Sequence, residues 1–190
     1  VCDIVACEDA HESERTAAAA LIERAQAQQV WIGDRHFCTQ AIVQGLAERG
    51  AGCIVRAHAR HPGPAPAGPW GTQPDIEPGR GRERAIELDK PHEGALRHWR
   101  RIEIALHAPT DSGDQTIVLW SNLPPEIDAA TIARLYRKRW RIEGMFQRLE
   151  SVLHSEIKSL GHPRAALLGF AAAVLAYNVL ALLKRVIEQA

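Results

Sequence analysis

The stretch YRKRWRIEG, residues 136 to 144, surrounds one carboxylate, Glu143, with four basic side chains. Between residues 134 and 150 the chain holds six basic residues and only two acids, Glu143 and Glu150. Such an excess of positive charge indicates a phosphate-rich partner. The alternative that spacing alone leaves open is an amphipathic helix with i,i+4 ion pairs and a solvated face. Overall charge does not decide between them, because Lys plus Arg and Asp plus Glu are 23 each.

A second carboxylate, Asp34, follows the apolar run VWI and precedes RHF. The C-terminal end of a core strand is where open α/β sheets place their sites, although Asp also starts ordinary turns. A carboxylate pair across a strand and a helix could hold a divalent cation through oxygen ligands. Two such ions would activate a water or a 3′-hydroxyl and stabilise the leaving oxygen of a phosphodiester.

The element that must position Glu143 is a helical pattern from residue 129 to about 155, with Asp128 as its predicted N-cap. At about 100° per residue, Arg139, Glu143 and Glu150 fall within about 60° of Tyr136. This stripe runs beside a predicted buried face formed by Leu135, Ile142, Phe146, Leu149 and Leu153. We therefore expect Glu143 at the edge of the core.

Upstream, strand-like and helix-like segments alternate, which predicts an α/β core with a partly parallel sheet. They are a strand at 1–7, an Ala-rich helix within 8–28, a strand at 30–34, a helix at 39–50 closed by Gly50, and a strand at 52–60. Residues 61–82 hold six Pro and five Gly, which predicts a loop or the edge of an insertion. Three strand-like runs follow, at 84–88, 99–107 and 116–121, and the middle one alternates as if one face were wet.

The segment Ala165–Leu183 is uncharged and long enough to span a bilayer. It is rich in alanine, contains Asn178 and follows Pro163, so we expect a buried core helix and no membrane partner. The four cysteines form no CxxC pair and no signal peptide is visible, which favours reduced thiols and a cytoplasmic location. His58 and His61 beside the Pro-rich stretch are interpreted as loop residues, since further ligands at zinc-like spacing are missing.

In combination, these motifs resemble the insertion-sequence DDE transposases with the Tyr-Arg-Glu-Lys signature, of the insertion sequence four type. The residues are GDRHF around Asp34, and Tyr136, Arg139 and Glu143 in the pattern Y-x2-R-x3-E. The stretches CEDAHESER (7–15), VRAHAR (55–60) and LGHPRAALLGF with AYNVL (160–180) are similar to that family too.

The resemblance implies a ribonuclease-H-like core with a β-rich insertion between the second and third catalytic acids and a helical C-terminus. Its parts would be a core segment at 1–60, the loop, insertion and return strand at 61–121, and C-terminal helices at 122–190. Asp34 matches the second acid and Glu143 the third, both as catalytic residues and as ligands of Mg²⁺ or Mn²⁺. Tyr136 and Arg139, with Lys138 and Arg148, would contact DNA. The implied partner is double-stranded DNA, with a homodimer forming on it.

Two departures from the family pattern limit the expected activity. The first acid should precede CEDAH, and Asp3 is too close to that motif, so we expect a C-terminal fragment that is inactive by itself. The signature lysine position, seven residues past Glu143, holds Glu150, for which nearby Arg148 compensates in part. The function predicted is DNA transposition, with a non-catalytic DNA-binding or partner-binding remnant as the alternative. A ribonuclease-H-like host nuclease would need the missing acid too and leaves the C-terminal similarity unexplained.

Overall fold

The computed structural model describes residues 14–58, 65–71, 75–77, 79–88, 99–151 and 163–189. The chain divides into a first compact unit that ends at Arg139 and a second that begins at Trp140. The strand predicted at 1–7 lies outside the described residues. The expected partition at residues 60 and 121 stays a prediction.

The described part of the first unit is built on one sheet. Its strands are β1 Val30–Gly33, β2 Gly52–Arg56, β3 Ala65–Pro66, β4 Asp75–Ile76, β5 Gly79–Glu87, β6 Trp99–Leu106 and β7 Thr116–Ser121. They are ordered β1-β2-β7-β6-β5-β3, with β4 also paired to β5. The β1–β2 pair is parallel, and the other described pairs are antiparallel. The prediction of a partly parallel sheet is confirmed.

Helices cover both faces of the β1, β2 and β7 region. Side chains alternate along β2, so Cys53 and Val55 join one core with helices α1 (Glu14–Glu23) and α2 (Gln40–Glu48). Ile54 points the other way, into a core with helix α3 (Ala129–Arg137). Strand β6 has a buried row, Ile102 and Ile104, and a wetter row that includes Ala105, as its alternation predicts.

Specific hydrogen bonds set where α3 begins. The Oδ1 of Asp128 accepts from the Thr131 N–H at 2.6 Å, so the predicted N-cap is confirmed. Arg100 is 8% exposed, and its Nη2 donates to the carbonyls of Pro124 (3.2 Å) and Ile127 (2.6 Å). The loop that leads into α3 is therefore tied to strand β6.

Residues 61–82, predicted as a loop or the edge of an insertion, contain regular structure that the sequence did not indicate. Strands β3 and β4 lie within this segment, and β5 begins at Gly79. Two of the five glycines counted in this segment, Gly79 and Gly81, lie in β5 and allow close packing there. A Cβ at Gly79 would collide with the Ala105 carbonyl, and one at Gly81 would collide with the Ile76 side chain.

The single long helix predicted from 129 to about 155 is wrong. A 3₁₀ turn, Lys138–Trp140, separates α3 from α4 (Arg141–Ser151). The Lys138 N–H donates to the carbonyls of Leu135 and Tyr136, which tightens the chain at that point. A 3₁₀ turn has about 3.0 residues per turn, so angles counted at 100° per residue do not carry across it.

The second unit buries the predicted face only in part, since Leu149 is buried as predicted and Met145 is buried beside it. Met145 and Leu149 of α4 pack with Val174 of helix α5 (Pro163–Ile187), whereas Ile142 and Phe146 are about half exposed. Leu153 lies outside the described residues. The predicted core helix is wrong for this chain, because α5 leaves Leu168 72% and Ile187 74% exposed. By length and composition, its segment Arg164–Ile187 also satisfies the criteria for a membrane span.

Candidate active site

Asp34 stands at the C-terminal end of β1, as its sequence position predicts. It caps a 3₁₀ turn, Arg35–Phe37, and its Oδ1 accepts from the His36 N–H at 2.7 Å. Because β1 and β2 are parallel and in register, their C-terminal ends meet at one edge of the sheet. Arg56, the last residue of β2, therefore lies beside the turn that carries Asp34.

Tyr136 and Arg139 come to the same place from α3 and the 3₁₀ turn after it. The Tyr136 side chain is 6% exposed and forms a hydrogen bond with the Arg139 side chain. Arginine has donors only, so its N–H donates to the phenolic oxygen and leaves the Tyr136 O–H as a donor. The charges of Arg56 and Asp34 also act on this phenol. These four side chains form one interacting cluster in the first unit.

Burial keeps the Tyr136 phenol neutral. Desolvation is the largest effect on this group, and the negative charge of Asp34 acts in the same direction. The positive charges of Arg139 and Arg56 oppose it, but the pKa of Tyr136 still lies above its ordinary value. The hydroxyl therefore keeps its proton at neutral pH and can donate it in a hydrogen bond to an anion.

A cleft next to this cluster is lined by basic residues that the sequence did not indicate as site residues. Arg35, Arg56, His58 and Arg101 line it together with one acid, Asp114. The Asp114 Oδ2 lies 2.7 Å from Arg56 Nη2 and 3.2 Å from Arg35 Nη2. Hydrogen bonds from Ser112 and Arg56 lower the pKa of Asp114. The parallel strands β1 and β2 could have indicated Arg56, but Asp114 comes from the distant β6–β7 loop.

The remaining predicted residues lie on the 3₁₀ turn or in the second unit. Lys138 is exposed at the start of the turn, and Glu143 is exposed in the first turn of α4. Arg148 and Glu150 are exposed near the end of α4. Glu143 and Glu150 are seven residues apart in one helix, so they share a face. Asp34 and Glu143 belong to different units, and the convergence of their carboxylates stays a prediction.

Among the described residues of the first unit, the cluster contributes one candidate ligand for a divalent cation. Mg²⁺ requires near-octahedral oxygen coordination, and Asp34 supplies an oxygen from one carboxylate. Asp114 is unsuited to this role, since its Oδ2 already accepts from Arg35, Arg56 and Ser112. Within the described ranges, His, Cys, Asp and Glu side chains form no group of three or more that could hold a metal. Asp34 thus fits as one ligand of a site that needs others.

The comparison with known families matches most of the chain. The profile of the transposase DDE domain matches residues 3–179, which include Asp34, Arg56, Tyr136, Arg139 and Glu143. The chain belongs to the transposase DDE domain family. Membership supports a transposase function and implies binding to DNA, and transposases of this family generally use divalent metals. No curated protein matches the chain.

Proposed function

We propose that this transposase DDE domain holds DNA ends for metal-dependent phosphoryl transfer, as the insertion sequence four type does. Asp34 and Glu143 are the second and third acids of the catalytic triad in a ribonuclease-H-like core. Tyr136 and Arg139 are the matching signature residues. The observation that carries the proposal is the interaction of Tyr136 with Arg139, Arg56 and Asp34, which joins the signature residues to one acid.

The cluster has the chemistry that a phosphodiester requires. Arg56 and Arg139 supply guanidinium donors, which bind phosphate oxygens in a fixed geometry. The protonated Tyr136 hydroxyl adds a neutral donor beside them. A phosphate bound beside Asp34 would be repelled by its carboxylate unless a cation lay between them. A cluster of anion-binding side chains with one carboxylate at its margin is therefore suited to bind a phosphate together with a metal ion.

Glu143 is the second carboxylate that we propose for the ion site. Asp34 and Glu143 would each contribute carboxylate oxygens to Mg²⁺ or Mn²⁺. When bound, the ion supplies Lewis-acid activation of the attacking oxygen and stabilises the charge on the leaving one. Lys138 and Arg148 would add phosphate contacts on either side of Glu143. We place this activity in the cytoplasm, on double-stranded DNA, with a homodimer bound to the DNA.

For the 190-residue chain alone we propose DNA binding without cutting. The family uses three acids, and the sequence matches two of them. Glu150 at the signature lysine position repels phosphate, so contact near the end of α4 is weakened. The rival function is a remnant that binds DNA or a partner without chemistry. It differs from the first proposal in requiring no ion at Asp34 and Glu143.

The test is a titration of duplex DNA with the purified chain and two single-charge variants. Arg56→Ala removes a cation from the cluster, whereas Arg49→Ala removes an exposed cation at the end of α2. We expect Arg56→Ala to weaken binding by roughly tenfold and Arg49→Ala by less than about twofold. Equal effects would contradict the site. Cutting of labelled DNA in Mn²⁺, abolished by Glu143→Gln, would show that the chain is an active enzyme.

A further inference from the structure

A second basic surface lies on the β5–β6 hairpin. Arg80, Arg82 and Arg84 alternate along β5, so their side chains share one face of the sheet. In the β5–β6 register Arg84 pairs with Arg101, and Arg82 pairs with Glu103 on the same face. We call the four arginines Arg80, Arg82, Arg84 and Arg101 the arginine face.

Trp70 packs against the arginine face and orders two of its members. The guanidinium carbons of Arg82 and Arg84 lie 4.1 and 4.3 Å from the centroid of the Trp70 ring. The next residue, Gly71, donates its N–H to the Glu83 carbonyl at 2.8 Å, which fixes Trp70 beside β5. A tryptophan that orders two cations reduces the side-chain entropy they lose when they bind an anion.

The carboxylates of this region order the arginine face without neutralising it. Glu103 contacts Arg82 at 2.6 Å and Arg101 at 2.7 Å. Burial acts to raise the pKa of Glu103, but hydrogen bonds and charge from the two arginines outweigh it and lower the pKa. Asp75 lies 3.7 Å from Arg80, and both side chains are largely exposed. Among the described residues of this face, four cations meet two carboxylates, and the excess is positive.

The arginine face is continuous with the cleft beside Asp34. Arg101 belongs to both, because it also lines the cleft with Arg35 and Arg56. Alternate residues of a strand are about 6.8 Å apart, so Arg80 to Arg84 covers about 14 Å. Since duplex DNA rises about 3.4 Å per base pair, this length corresponds to about four base pairs.

We propose that the arginine face binds the phosphate backbone of duplex DNA that extends past the segment held at Asp34, Tyr136 and Arg139. The inference rests on the proposed function, which places DNA in the adjacent cleft. The contacts would be to phosphates and therefore independent of base sequence. The surface would add affinity and fix the direction in which the duplex leaves the cleft.

The experiment compares two double variants with the same change in net charge. Arg80→Ala/Arg84→Ala removes two cations from the arginine face, and Arg24→Ala/Arg49→Ala removes two exposed cations at the ends of α1 and α2. Affinity for a duplex of about 30 base pairs is measured over a range of salt concentrations. Loss of two phosphate contacts should reduce the slope of log K against log salt by about 1.8 and weaken binding at least tenfold near 0.1 M salt.

Three further arms separate the outcomes. Arg80→Lys/Arg84→Lys keeps both charges and should keep the parent slope, and a slope as low as that of the Ala pair would overturn the proposal. The single variant Arg80→Ala, at a side chain 73% exposed, reports a smaller loss without disturbing packing. If the Ala pair matches the control pair while Arg56→Ala still weakens binding, the arginine face is wrong and the proposed function stands. If the parent does not bind duplex DNA, both proposals fail.

Discussion

The sharpest prediction compares Arg139→Ala with Arg137→Ala. Each change removes one positive charge, and the two positions are two residues apart, so net charge and long-range attraction change equally. Arg139 is partly buried, forms a hydrogen bond with Tyr136 and adjoins Asp34 through that residue. Arg137 is exposed in the last turn of α3. A difference in DNA affinity between the two variants therefore shows an effect of the position of the charge, since the amount of charge removed is the same.

The magnitude follows from the number of phosphate contacts. If Arg139 makes one contact, Arg139→Ala should lower the slope of log K against log salt by about 0.9. Near 0.1 M salt that corresponds to about eightfold weaker binding, whereas Arg137→Ala should change affinity less than about twofold. Removing Arg139 also takes away an interaction that lowers the pKa of Tyr136. The Tyr136 phenol would therefore stay protonated in this variant, and its ionisation cannot explain weaker DNA binding at neutral pH.

Glu150→Lys provides a gain-of-function arm for the same assay. Glu150 is exposed on the α4 face that carries Glu143, at the position of the lysine in the proposed signature. The change removes repulsion of phosphate and adds a cation, so we expect tighter binding and a slope steeper by up to about 0.9. The measurement is duplex titration at two salt concentrations for the parent and the three variants. If Arg139→Ala and Arg137→Ala act equally and Glu150→Lys has no effect, the basic residues form only a solvated surface.

Two other predictions concern stability. Asn122→Ala should lower the free energy of unfolding by about 2–4 kcal/mol, because its side chain accepts from the Cys53 N–H (2.6 Å) and donates to the Ala51 carbonyl (2.9 Å). Chemical denaturation measures this, and an unchanged free energy of unfolding would contradict it. Folding lowers the pKa values of Asp114 and Glu103. The two ionised carboxylates therefore stabilise the fold fully above their unfolded pKa values, and this stabilisation is lost as pH falls below about 5. Acid unfolding of Asp114→Asn and Glu103→Gln should show a weaker pH dependence than that of the parent, and an unchanged pH profile would refute this prediction.

Several elements follow from local sequence alone. The strand at Val30–Gly33 and the helix at Gln40–Glu48 were predicted, because apolar periodicity reports which side chains must be buried. Asp128 was identified as an N-cap because its side chain satisfies a backbone N–H only three residues away. Both are short-range effects that require no knowledge of distant contacts.

Prediction was less successful where one residue type has two structural uses. Glycine both permits turns and removes a Cβ from a crowded strand, so Gly79 and Gly81 in β5 were mistaken for loop residues. The 3₁₀ turn at Lys138–Trp140 interrupts a stretch that has a continuous helical pattern. The exposure of α5 was missed because its composition suits equally a protein core, a membrane and a contact surface.

The sequence by itself determined the candidate acids and signature residues, Asp34, Tyr136, Arg139 and Glu143, since their types and spacing carry the family pattern. It could not reveal what surrounds them. Arg56 and Asp114 are 58 positions apart and meet through a 2.7 Å ion pair, because β2 pairs with β7 and the β6–β7 loop returns to the end of β2. Trp70 meets Arg84 because the backbone at Gly71 is hydrogen-bonded to β5. Such contacts depend on strand pairing between distant segments, which the tertiary structure decides.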